Sequence, residues 1–85
     1  MAEKPGYLKG GWKQKYVIAK KDGSPVDDGA CYFVLRLDED PCAREAIETY
    51  ARAVAKAGNK HFAADIRRML RHTEEAFQLS VARQG

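Results

Sequence analysis

The stretch Asp38-Glu39-Asp40-Pro41 divides this chain into two periods. Before it, Tyr32-Phe33-Val34-Leu35-Arg36-Leu37 is a nearly continuous apolar run rich in aromatic and branched side chains, the pattern of a strand. After it, apolar residues recur at Ala43, Ile47, Tyr50, Val54 and Ala57, which is helical spacing. Proline at a first helical position loses nothing, because that nitrogen has no intrahelical acceptor, and an aspartate just before it caps the exposed donors. The junction therefore predicts a strand that hands over to a helix.

The rest of the chain extends that architecture. Residues 1–12 hold Pro5, Gly6, Gly10 and Gly11 and read as an irregular arm carrying Tyr7, Leu8 and Trp12. Residues 13–83 read as one small domain. Lys15 to Lys20 reads as a first strand, and Asp22-Gly23-Ser24-Pro25 and Asp27-Asp28-Gly29 are turn signals between it and a second strand over Cys31–Leu37. A first helix is expected from Asp40 to Ala57, stopped by Gly58-Asn59, with Arg44, Glu45, Glu48, Arg52 and Lys56 on its outer face and Arg44–Glu48 and Glu48–Arg52 pairing four residues apart. A second begins near Asn59 or Lys60 and carries Phe62, Ile66, Met69, Leu70 and Thr73 on one side; Phe77 and Val81 keep that register past Glu75. The short connection makes the helices an antiparallel hairpin. The expected fold class is thus α+β: a β-hairpin, open to extension by the arm or by a dimer partner, packed on two helices.

Size limits what such a domain does. Eighty-five residues bury only about 60–65% of the unfolded surface, which leaves little room for a deep pocket. The composition, 45% apolar and 32% charged, suits a soluble folded chain. No run approaches the ~18 apolar residues of a membrane span. The N-terminal lysines have no apolar segment behind them, so no secretory signal is expected. Cys31 and Cys42 read as reduced, partly buried small hydrophobes, which makes a cytoplasmic setting the expectation. Exposed strand edges and a small core make a homodimer plausible.

Motifs for chemistry are sparse. His61 and His72 lie about 16 Å apart along a helix and cannot share a metal ion directly. Cys31 and Cys42 lack zinc-ligand spacing. Asp38 and Asp40, with His61, sketch a small metal-dependent enzyme, but helix capping explains the carboxylates better. Ser24, Thr49, Thr73 and Ser80 sit in no nucleophile motif, and no phosphate-binding glycine loop occurs. No cofactor is expected.

Charge is the stronger signal. The net charge of +3 is segregated: residues 1–21 and 51–85 are basic, and residues 22–50 are acidic. Arg67, Arg68 and Arg71, with Lys60 and Arg52, form a candidate basic stripe, to which Lys9, Lys13 and Lys15 add charge among Tyr7, Trp12 and Tyr16. The expected function is a non-enzymatic interaction protein that binds a macromolecule, first of all a protein, with Tyr7, Trp12, Arg67, Arg68 and Arg71 as contacts. Direct nucleic-acid binding through the basic second-helix face is the alternative.

From Lys15 to about Arg71 the chain resembles a group of small bacterial and phage-associated proteins of unknown function. The resemblance rests on Asp22-Gly23-Ser24-Pro25-Val26-Asp27, on Tyr32-Phe33-Val34-Leu35-Arg36-Leu37-Asp38, on Asp40-Pro41 with Ala43-Arg44 and Ala46, and on Tyr50-Ala51. It implies no activity, cofactor or catalytic residue. It implies an accessory protein of a phage or mobile element that works by binding.

Overall fold

A computed structural model of the protein describes Tyr7, residues 9–11 and residues 15–84. The chain divides into two compact units, residues 1–34 and residues 35–85. The described residues form three helices and no strand: α1 spans Pro41–Lys56, α2 Lys60–His72 and α3 Glu74–Gln84.

The expected α+β class, and with it the small α+β domain built on a β-hairpin, is overturned. Residues 15–20 and 31–36 adopt no regular secondary structure. Two strands alone are marginal in water, so such a ribbon needs a face to cover it. The helices do not spare one, because α1 and α2 turn their apolar stripes toward each other at Ala43, Ala51, Ala63, Ile66 and Leu70. The segment between the two apolar runs closes on itself instead. The Gly23 N–H donates to the Lys20 carbonyl at 3.1 Å and the Ala30 N–H to the Asp27 carbonyl at 3.2 Å. Asp22 Oδ1 accepts from both the backbone and the hydroxyl of Ser24. The run expected to finish as strand at Leu37 turns there. Arg36 clamps the turn, reaching Asp38 at 2.9 Å and Glu39 at 2.6 Å.

The helices are set by local chemistry. Asp40 Oδ1 accepts from the Cys42 N–H at 2.9 Å, and Pro41 opens α1. Asn59 Oδ1 accepts from the Phe62 N–H at 3.2 Å and caps α2. Between them Gly58 sits at φ +105°, a conformation that a side chain strains, and it reverses the chain within three residues. The start of α1 meets the end of α2, so the pair is antiparallel. Tyr50 and Phe62 cross edge to face, ring centroids 6.2 Å apart, at the opposite end of the pair. The seam is lined by three alanines, one isoleucine and one leucine, so it gains close approach and little apolar volume.

Arg44 holds this small core in register. The sequence places it on the outer face of α1, but its side chain is only 12% exposed. Nη1 donates to the Leu37 carbonyl at 2.8 Å and to Thr73 Oγ1 at 2.9 Å; Nη2 donates to the Leu70 carbonyl at 2.7 Å and lies 3.4 Å from Glu74 Oε1. The guanidinium also stacks 4.8 Å from the Phe77 ring centroid. One cation thus ties the turn before α1, the last turn of α2 and the first turns of α3. It sits at the negative end of the α2 dipole, where a positive charge is favoured. The Arg44–Glu48 and Glu48–Arg52 pairs expected from spacing do not form among the described residues.

Thr73 explains why the second helix does not run on unbroken. Its hydroxyl donates back to the Met69 carbonyl at 2.7 Å, and the Leu70 carbonyl, which an unbroken helix would offer to Glu74, is taken by Arg44. The helix breaks at residue 73 and restarts as α3.

Replacing Arg44 by alanine leaves the Leu70 and Leu37 carbonyls without that donor. The expected loss is about 2–4 kcal/mol in urea unfolding. Arg44→Lys is expected to restore less than half of it, since one ammonium cannot fork between Leu37, Thr73 and Leu70.

Candidate binding groove

α1 and α2 leave a groove on one flank of their seam. Leu70 lies at its base. Arg44, Glu48 and Arg52 line it from α1, Arg67 and Arg71 from α2, and Glu74 from α3, around an open volume of about 570 Å³. Helical geometry dictates this placement. Arg67 and Arg71 are four residues apart and share a side of α2, just as Glu48 and Arg52 share a side of α1.

The charges in the groove are unequally committed. Arg44 is spent on the fold. Glu74 accepts from Arg44 and, at 2.8 Å, from Gln78 Nε2. Arg52 donates to Thr49 Oγ1 at 3.1 Å. Among the described residues neither Arg52 nor Arg67 nor Arg71 has a carboxylate partner, and Glu48 has no cationic one. Three guanidiniums therefore face water in one groove. Each offers only donors, in a fork that matches the two oxygens of a carboxylate.

The residues singled out in the sequence separate here. Arg67 and Arg71 share the groove. Arg68 is about 100° further round the helix and pairs with Asp65 at 2.6 Å on an exposed side. Tyr7 is exposed and belongs to the unit of residues 1–34. Trp12 lies outside the described residues, as does Lys13. Asp38 is engaged by Arg36, and Asp40 caps α1. Among the described residues no three histidine, cysteine or acidic groups converge on a point where a metal ion could sit. Cys31 and Cys42 are free thiols and exposed, not partly buried as expected, because residue 31 lies in an irregular segment and residue 42 on the outside of the first turn of α1.

Two groups were harder to find from sequence. Arg52 is distant in number from Arg67, and the antiparallel pairing is what brings the two into one groove. Arg44 looks like one more surface charge. The signal that reveals it is its position seven residues before buried Ala51, which puts it on the seam side of α1.

No family model, curated protein or solved structure matches this chain. Among the described residues no helix is long and apolar enough to cross a membrane.

One electrostatic consequence is measurable. The Arg36 hydrogen bonds hold the Asp38 carboxyl below its ordinary value of 3.8. A depressed folded-state value stabilises the fold above pH 3.8, and that contribution is lost as pH falls through the lowered value. Asp38→Asn has no such proton to take up. Its melting temperature is expected to fall less steeply than the parent's when the pH is lowered from about 5 to about 2.

Proposed function

We propose that this protein is a non-enzymatic binding module that holds an acidic segment of a protein partner in the α1–α2 groove. The observation that carries the proposal is the convergence of Arg52, Arg67 and Arg71 on one groove, none of them in an ion pair with a carboxylate among the described residues. Guanidinium groups bind carboxylates in two-pronged fashion and do not shuttle protons, so the groove suits recognition and not general acid–base chemistry.

Glu48 and Glu74 on the walls favour a protein over a nucleic acid. A phosphodiester backbone presents unbroken negative charge, and both glutamates would repel it. A protein segment can alternate acidic with neutral or basic side chains and meet both signs. Arg67 and Arg71 are about 6 Å apart along the helix axis, the spacing of acids one turn apart on a partner helix. The reading is of an accessory protein, in line with what the sequence resemblance implies, and the free thiols of Cys31 and Cys42 favour a cytoplasmic setting.

Titration with poly-L-glutamate and with mixed-sequence duplex DNA, each at low and high salt, tests this. Poly-L-glutamate is expected to bind more tightly than DNA at low salt, to weaken with added salt, and to lose about tenfold in affinity on Arg67→Ala with Arg71→Ala. Arg68→Ala, outside the groove, is expected to change little. Tighter binding to DNA, with a salt slope reduced by the same two substitutions, would establish the nucleic-acid reading instead. No binding to either polymer at low salt would reject the groove as an anion site.

A further inference from the structure

We propose that the α1–α2 groove receives a phosphorylated side chain, so that the segment it holds carries its charge as one phosphoryl group. The inference rests on the reading of the groove as a site for an acidic protein segment and narrows that reading to one ligand chemistry.

The first observation is the charge of the groove. Four arginines and two glutamates line it, a net charge of +2. Setting aside the Arg44–Glu74 pair leaves three arginines and one glutamate, and the excess is the same. A phosphoryl group on a side chain carries about −1.5 to −2 at pH 7. One such group balances the groove at a single point. One carboxylate leaves half of the excess in place, and a longer polyanion continues past the balance and meets Glu48 and Glu74.

The second observation is the state of the donors. Among the described residues the side chains of Arg67 and Arg71 form neither a hydrogen bond nor an ion pair, and Arg52 donates only to Thr49. All three are exposed, so a group on a partner's surface reaches them without opening the fold. One guanidinium fork is enough to engage both oxygens of a carboxylate. A phosphoryl group has three oxygens to share among three forks, and such charge-assisted bonds are the strong ones.

The third observation is placement. Arg67 and Arg71 stand about one turn apart on α2, and Arg52 comes from α1, so the donors reach the groove from two elements. Arginine clusters of this kind recognise phosphorylated segments by general physical chemistry, without help from the flanking sequence.

Side-chain ¹⁵N NMR of the arginine Nε groups, on the full chain at pH 7.5, tests the proposal. The probes are N-acetyl-phosphoserine amide, N-acetyl-glutamate amide and inorganic phosphate. The phosphoserine probe is expected to shift Arg52, Arg67 and Arg71 but not Arg68, with a Kd at least about tenfold below that of the glutamate probe. Arg67→Ala with Arg71→Ala is expected to remove most of that advantage, and Arg68→Ala to preserve it. Equal or tighter binding of the glutamate probe would overturn the inference and leave the acidic-segment reading standing. Tighter binding of inorganic phosphate than of the phosphoserine probe would overturn it in favour of a free anion. Absence of shifts, or shifts shared equally with Arg68, would overturn it as well. The underlying reading fails separately, when poly-L-glutamate does not bind.

Discussion

The contact on which the helical unit depends is the guanidinium of Arg44 at the end of α2. With a seam of alanines, one isoleucine and one leucine, hydrophobic burial alone defines the register of α1 against α2 weakly, since small side chains interlock poorly. Arg44 supplies what the seam lacks. Its two terminal nitrogens reach the Leu37 carbonyl, the Thr73 hydroxyl and the Leu70 carbonyl, three acceptors that belong to the turn before α1 and to the end of α2. Each is an oxygen that the fold would otherwise leave with fewer donors. Directional bonds of this kind fix an arrangement that apolar contact only favours.

The groove follows from that anchor. With the start of α1 pinned to the end of α2, Glu48 and Arg52 line the same groove as Arg67 and Arg71. Because Arg44 draws Glu74 toward it, one of the two acidic side chains of the groove is partly committed elsewhere. The remaining arginines are left to solvent or to a partner. Committed and unpaired cations thus stand side by side in one groove, and they are told apart by burial and partners and not by residue type.

The sequence discloses what is local and conceals what is tertiary. Both helix starts are legible because a capping side chain sits within three residues of the nitrogen it serves, at Asp40 and at Asn59. The reversal at Gly58 is legible because only glycine takes its backbone conformation easily. The run from Tyr32 to Leu37 misleads for the complementary reason. Strand propensity describes side chains suited to a half-buried pleated surface, but a strand exists only if another edge pairs with it. Here the apolar stripes of the helices are already spent on each other. The break at Thr73 is concealed too, since Phe77 and Val81 keep the helical register and the interruption comes from Arg44, twenty-nine residues away in sequence. For the groove, the four-residue spacing of Arg67 and Arg71 is readable, whereas the partnership with Arg52 needs the pairing of the helices to be known.

Side-chain ¹⁵N NMR of the arginines tests the central claim most directly. The account predicts that the Nη protons of Arg44 are resolved from one another, exchange slowly with water and show cross-peaks to the Phe77 ring, while those of Arg67 and Arg71 average by free rotation. Nη signals of Arg44 that average as fast as those of Arg67 and Arg71 would contradict it.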